Sequence, residues 1–517
     1  MAKNALGREI PEYIEGYGRT VPYTGDRRFI EVLQSKRNKF TSNKEITDKV
    51  AEDIAAVLKK CQIKDGMTLS FHHHLRDGDY VLNQVMEEVA KQGIKDITIF
   101  ASSLINVHEP LIEHIKNGVV TGLHTSGLRG SLAKEISYNN ILGKPVIFRT
   151  HGGRARAIET GEIHIDIAFI AAPACDKMGN MNGKEGKSKF GAMGYPMVDA
   201  EYADKVVVVT DNLVPFPLME PSIDQTKVDY VVVVDEIGDP GKISTGATRM
   251  TTNEKDLLIA KYAAEVLKAS GYIKEDFSFQ AGSGGASLAV IKYLKEYMKE
   301  KNITGSFASG GITSVLVELL EEKYFKTLID TQTFDAESAS SLTRNKNHLE
   351  MSASMYANPF NKGCVANQLD IMVLSATEVD LDFNVNVLTG SNGVIMGAQG
   401  GHPDTADGAK LRVVTAPLIR KTRPIVLEKV TTIVTPGTNI DVVVTDEGIA
   451  INPARQDLIK KLRNTDLPIM TIADLHKKAE KIAGKPEGTK YNKDVIVGIV
   501  EARDGTIIDV VYQVKKE

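Results

Sequence analysis

Apolar residues in this chain come mostly as short, β-branched runs separated by amphipathic stretches. The runs MTLSF (67–71), DITIFAS (96–102), PVIFRT (145–150), IDIAFIAA (165–172), KVVVVT (205–210) and YVVVVD (230–235) predict strands. Between them, GDYVLNQVMEEVAKQG (78–93) and HEPLIEHIKNG (108–118) repeat their apolar residues at helical spacing. Upstream, Ile46, Val50, Ile54, Val57 and Leu58 predict a further helix over 44–61. Strands that are apolar on both faces call for a mostly parallel sheet with helices packed on each side. The pattern predicts open α/β architecture.

The pattern then occurs a second time. FASSLINVHEPLIEHI from Phe100 lies over FASGGITSVLVELLEE from Phe307, and Ser70-Phe71 returns as Ser278-Phe279. Further on, Asp166, Asp176, Asn180 and Asn182 recur as Asp370, Asp380, Asn384 and Asn386, and Lys205, Val208, Val209 and Thr210 recur as Lys410, Val413, Val414 and Thr415. A period near 200 residues means a duplicated domain, because solenoid units run about 20 to 50 residues. Two tandem α/β domains are expected, over 41–270 and 271–517, behind a Gly-, Pro- and Tyr-rich arm at 1–40. The second copy opens with FSFQAGSGGASLAVIKYLKEYMKEKN (277–302), and further strands at 424–437 and 439–453 and helices at 456–463 and 471–484 follow it. No low-complexity linker divides the halves, so their boundary is expected to be a packed interface where a ligand cleft can form.

Bulk composition removes several function classes. The chain has 517 residues, 63 basic and 67 acidic side chains and a net charge of -4, well mixed, which argues against a nucleic-acid partner. Three scattered cysteines, Cys61, Cys175 and Cys364, make neither a disulfide framework nor a zinc site. With no signal peptide and no apolar run of membrane-spanning length, a cytoplasmic location is expected.

In open α/β sheets, ligands bind beyond the carboxyl ends of the strands. There the second half is rich in glycine, at Gly282, Ser283, Gly284 and Gly285, at Gly310 and Gly311, and through Gly390–Gly408. Such loops let backbone N–H groups approach a phosphate or a developing oxyanion. At the equivalent places the first half carries His72, His73, His74 and Arg76, with Arg154 in a second basic loop. This divides the work: cations for a polyanionic small molecule in one half, backbone donors for a thioester carbonyl in the other. An extended segment alternates its side chains, so the three histidines cannot all line one pocket. Glu378 replaces Ala174 of the first copy and is the candidate carboxylate nucleophile or base, with Asp335 and Asp404 behind it. No metal site is expected.

FHHHLRDGD (71–79), THGGRARAIETGEIHID (150–166), QAGSGGASLAV (280–290) and GAQGGHPDTADGAK (397–410) together resemble the CoA-transferase superfamily, and within it the family of citrate lyase alpha subunits. The resemblance covers nearly the whole chain. It implies acyl exchange in which citrate and an acetyl-thioester on an acyl carrier subunit give citryl-thioester and acetate, which a separate beta subunit then cleaves to oxaloacetate. It also implies a CoA-derived prosthetic group on the carrier, no cofactor bound to this chain, and an oligomeric complex. Gly400 and Gly401 are then expected at the thioester with Gly282–Gly285, and His72, His74, Arg76 and Arg154 at citrate. Many members of the superfamily place a nucleophilic glutamate where this chain has Ser309-Gly310-Gly311. The departure predicts direct attack by a citrate carboxylate without a covalent enzyme intermediate. Two alternatives are an ordinary CoA-transferase or acyl-CoA hydrolase using Glu378, and a non-catalytic ligand-binding scaffold.

Overall fold

A computed structural model describes residues 2–25, 48–244, 251–282, 284–486 and 488–516. The first sheet is built from β1 (Val50–Ala51), β2 (Thr68–Phe71), β3 (Ile97–Ala101), β4 (Val120–Thr125), β5 (Val146–Phe148), β6 (Ile167–Ala172), β7 (Lys205–Thr210) and β8 (Tyr230–Val233). The second contains β9 (Ser278–Ala281), β10 (Gly305–Ile312), β11 (Phe325–Thr333), β12 (His348–Glu350), β13 (Ile371–Ser375), β14 (Leu411–Thr415), β15 (Val442–Thr445), β16 (Gly448–Ile451) and β17 (Ile469–Met470). The order β5-β4-β3-β2-β6-β7-β8 in one matches β12-β11-β10-β9-β13-β14-β15 in the other, strand for strand, and every pairing within these sets is parallel. The fold is mostly parallel α/β, present twice.

The residues identical between the copies hold this shared framework. Asp166 accepts the backbone N–H of Thr68 at 2.7 Å, and Asp370 accepts that of Ser278 at 2.9 Å, so each ties two neighbouring strands together. Asp176 closes a turn by accepting Met178 N and Asn180 N, and Asp380 does the same with Asp382 N and Asn384 N. Each turn stands on a small three-stranded sheet, formed by 174–176, 181–182 and 213–214 in the first copy and by 378–380, 385–386 and 426–427 in the second. Buried backbone and carboxylate groups must be paired, which accounts for identity at these positions.

Three expectations about boundaries change. The helix expected over 44–61 spans Ile54–Lys60 only, because Asp53 caps it by accepting Ala56 N, and Val50–Ala51 joins the sheet edge beside β8; residues 44–47 lie outside the described ones. Helix Glu254–Ser270, expected to end the first domain, buries Ile259, Ala263, Val266 and Leu267 in the core of the second. The hairpin of β18 (Tyr491–Glu501) and β19 (Ile507–Val514), expected within the second domain, instead extends the first sheet, where β18 runs parallel to β5. Residues 2–25 of the arm lie on that hairpin: Ile10 and Ile14 pack on Ile499, Ile507 and Val510, and Asn4 Nδ2 donates to Ile508 O at 2.7 Å. Residues 26–40 lie outside the described ones.

The two halves exchange matching loops across their interface. Gly191-Ala192-Met193-Gly194 reaches into the second half, where Ala192 N donates to Thr333 Oγ1 at 2.9 Å and Met193 N to Glu350. Gly397-Ala398-Gln399-Gly400 reaches back into the first, where Gln399 N donates to Ser126 O at 2.8 Å and its side chain donates to Phe148 O at 2.7 Å. Glycine is required here: a Cβ at Gly191 would sit 2.1 Å from Thr333 Oγ1, and one at Gly127 would sit 2.2 Å from Ala398 Cβ. This crossed arrangement brings the carboxyl ends of both sheets to face one another.

Candidate active site

Between those strand ends lies a cavity of about 220 Å³. From the first half it is lined by His73 and Arg76 after β2, Ser103 after β3, Ser126 and Arg129 after β4, and His151 after β5. From the second half come Gln280, Gly282, Gly310, Gly311, Gln332, Tyr356, Gly400 and Gly401. Neither Arg76 nor Arg129 has an ion-pair partner among the described residues, and no Asp or Glu lines the cavity. Burial, with Arg129 close by, brings the Arg76 guanidinium down to about 10, still protonated at neutral pH. Asp77 acts on both without forming an ion pair to either, and two guanidiniums facing the cavity are suited to carboxylates, whose geometry a guanidinium fork matches.

The other basic residues expected at the ligand have partners of their own. Arg154 pairs fork to fork with Asp199, at 2.7 Å on both arms, and lies over the Phe100 ring. His72 turns to the same carboxylate, with Nε2 3.2 Å from Asp199 Oδ2, and His74 stacks on Phe190. The histidine that lines the cavity is His73, the one between them. Alternation along the extended segment is what separates the three, in the opposite phase to the one expected. The Ser102 hydroxyl accepts the His73 backbone N–H and lies 2.5 Å from Nδ1, an arrangement satisfied when the hydroxyl donates to Nδ1 and the ring hydrogen sits on Nε2. Burial holds His73 and His151 neutral, the latter down to about 3.

On the opposite wall, glycine makes close approach possible. Gly310 has φ +102°, and a Cβ there would lie 2.6 Å from the Gln280 amide; at Gly311 it would strike the Phe334 ring at 2.0 Å and at Gly401 the Tyr356 hydroxyl at 2.4 Å. Gly400, at φ +53°, accepts the His151 N–H at 3.0 Å through its carbonyl. Gly284 and Gly285 form the cap and first residue of helix Gly285–Lys301 rather than the cavity wall, and Ser283 lies outside the described residues.

Glu378 is not at the cavity. It is fully buried in the small outer sheet, accepting Asn386 Nδ2 at 2.8 Å, Thr431 N at 2.8 Å and Thr431 Oγ1 at 3.0 Å, so its carboxylate is consumed in holding that sheet to the following loop. Asp335 caps helix Ala336–Arg344. Asp404 lies behind the cavity, where it accepts Thr150 Oγ1 at 2.7 Å and Gly152 N at 3.0 Å and thereby orients the start of the His151 helix; burial raises it to about 6.

Ser126, Arg129, Gln332 and Tyr356 are lining residues the sequence did not single out, and His73, His151 and Gln280 stood out only as members of longer runs. Arg129 follows β4, whose residues VTGLHT are too polar and glycine-interrupted to stand out as a strand. A signal for the crossed loops was present, since Gly191-Ala192-Met193-Gly194 and Gly397-Ala398-Gln399-Gly400 match at three of four positions.

A duplicated parallel α/β architecture with its cavity between facing strand ends is the CoA-transferase fold. The same fold occurs in 4-hydroxybutyrate CoA-transferase from Porphyromonas gingivalis, with a TM-score of 0.53 at 16% identity over 84% of this chain and 96% of that one. The citrate lyase alpha-subunit model (CitF) matches residues 47–514. The citrate lyase alpha chain of Haemophilus influenzae is 53% identical over 90% of this chain and 93% of its own. The alpha subunit of citrate lyase from Streptococcus mutans, solved in complex with citrate, superposes with a TM-score of 0.95 at 54% identity over 99% of this chain and 100% of that one. This chain belongs to the citrate lyase alpha-subunit family, and it is accordingly a transferase and not a ligand-binding scaffold.

Proposed function

We propose that this chain exchanges citrate for acetate on an acetyl-thioester carried by a small acyl carrier subunit, and that a separate lyase subunit splits the citryl-thioester so formed. The observation that carries the reading is the polarity of the cavity: Arg76, Arg129 and His73 on one wall, closely spaced glycine backbone on the other. The Streptococcus mutans relative, in complex with citrate, supports the choice of acid.

Arg76 and Arg129 neutralise citrate carboxylates, and His73 donates a hydrogen bond to the same acid. Gly310, Gly311, Gly400 and Gly401 admit the thioester against the opposite wall. One citrate carboxylate attacks the acetyl carbonyl, its oxygen bonds to carbon, and the carrier thiolate leaves, giving a citryl–acetyl anhydride. The thiolate then attacks the citryl carbonyl and acetate leaves. No proton is gained or lost overall. With no carboxylate on the cavity wall among the described residues, the enzyme contributes positioning and charge stabilisation, which are large terms in their own right. The carrier's thioester arm is a CoA derivative in this reading, and three buried free cysteines suit a reducing cytoplasm.

The test is a trap. Native enzyme incubated with acetyl-thioester alone, treated with borohydride and mapped by mass spectrometry is expected to carry no reduced glutamate, while adding citrate releases acetate. A modified glutamate would replace direct attack with a covalent intermediate.

A further inference from the structure

Three side chains of the second-half wall, Ser309 behind it and Gln280 and Tyr356 lining it, form a directed chain of hydrogen bonds. The Ser309 hydroxyl, fully buried in β10, donates to Gln280 Oε1 at 3.2 Å, and Gln280 Nε2 donates to Tyr356 Oη at 2.8 Å. An amide whose oxygen is occupied by a donor must present its N–H₂ to the next group. Tyr356 Oη therefore accepts, and its own hydrogen has no protein acceptor among the described residues. That oxygen lies at the cavity wall beside Gly401, on the second-half side where glycine admits the thioester.

The geometry points to Tyr356 as a catalytic hydrogen-bond donor for the acyl-exchange reaction, its hydroxyl aimed by Gln280 and Ser309 at the oxygen of the acyl group under attack. When the citrate carboxylate adds to the acetyl carbonyl, the carbonyl π pair moves to oxygen and the tetrahedral adduct carries a negative charge there. Tyr356 donates to that oxygen, keeps its proton, and loses the strengthened contact when the thiolate departs. The second addition, thiolate on the citryl carbonyl of the anhydride, places an equivalent oxyanion at the same wall. Burial and nearby Asp404 raise the phenol well above its ordinary value, so it stays a donor throughout the working pH range.

The position of Gln280 explains how the chain is built. Gly310 carries no side chain, and the Gln280 amide fills the space next to its Cα. Beside Ser309-Gly310-Gly311, where the superfamily resemblance implies a nucleophilic glutamate, the neighbouring strand β9 supplies an amide that orients a donor instead. Ser309 and Gln280 are positioning residues, and Tyr356 alone touches the reacting atoms.

This assignment rests on the acyl-exchange reading, so the native enzyme is assayed first, with citrate and acetyl-CoA as a surrogate donor. Lack of citrate-dependent acetate release by native enzyme would remove the exchange reading itself. With native activity established, Tyr356→Phe is expected to lower kcat about 10²–10³-fold, the range for removing one oxyanion donor, with citrate KM changed less than threefold and the melting temperature retained. Gln280→Glu, of the same shape, offers the Tyr356 hydrogen an acceptor and is expected to lower kcat at least tenfold in the same way. A Tyr356→Phe enzyme within threefold of native kcat would overturn the assignment, as would a loss confined to citrate KM.

Discussion

Arg154 and Asp199 lie fork to fork in the interior of the first half, and His72 adds a second contact to the same carboxylate. The pair is therefore part of the frame under the cavity and not a site for citrate. Asp199→Ala leaves a buried guanidinium without its partner and is expected to cost about 3–5 kcal/mol, the range for breaking a buried pair from one side. Urea denaturation followed by circular dichroism measures it. Asp199 is held far below the ordinary carboxylate range by Arg154 and His72. Its stabilisation is thus complete above the unfolded value near 4 and is lost as pH falls below it.

Citrate recognition should instead respond to Arg129. Arg129→Ala and Arg76→Ala are each expected to raise citrate KM about 10–100-fold, consistent with losing one charged hydrogen-bonding contact, and to leave the affinity for acetyl-CoA within threefold. Steady-state kinetics with each substrate varied in turn checks both halves of the statement. Equal losses for the two substrates would contradict the division of the cavity walls.

Glu378 offers the converse experiment. With its carboxylate taken up by Asn386 and Thr431, Glu378→Gln is expected to keep kcat within threefold of native while lowering unfolding free energy by about 1–3 kcal/mol, the cost of leaving buried polar groups poorly matched. An acetate-release assay and a denaturation curve on one preparation suffice. Complete inactivity of a folded variant would return Glu378 to the chemistry.

Buried histidines predict a distinct acid response. His73, His74, His108, His124, His151 and His402 are all lowered from the ordinary value, with burial as the main cause. The unfolded chain then binds protons that the folded one refuses, so stability is full above about pH 6.5 and falls as pH drops below it. Each such histidine contributes about 1.4 kcal/mol per pH unit over the range between its unfolded and folded values. Melting temperature is expected to decline steadily from pH 7 to pH 5, before the Asp199 pair begins to protonate. A flat profile over that interval would show that these rings are charged in the folded state.

Much of the fold was legible because its signal is strong: Val206–Val209 and Val442–Val444 are buried on both faces, and such runs have few alternatives to a parallel strand. The duplication was legible from Asp166/Asp370 and Asp176/Asp380, which recur because the same backbone groups need the same acceptors. The site was legible by place, at strand ends, and less so by residue. His72 and His74 share with His73 and Arg76 one short run, and Arg154 sits in a second basic loop of the same character. What separates them is a carboxylate at Asp199, on helix Gly194–Tyr202, and an aromatic ring at Phe190 just before it, both more than 30 residues away in sequence. Tyr356 belongs to a five-residue helix in a stretch with no periodic pattern, so only the folded chain puts its hydroxyl beside Gly401.

The hairpin at 491–514 adds two strands to the edge of β5. For a chain made from one end to the other, that addition sets an order of assembly. The first sheet presents an unpaired edge at β5 throughout synthesis of the second half, and it is closed only when residues about 350 positions later arrive. The second sheet, whose strands all fall within 278–470, has no such wait. The half translated first is therefore the half completed last, and cutting the chain between the copies would give one self-sufficient sheet and one with an open edge exposed to any strand that can pair with it.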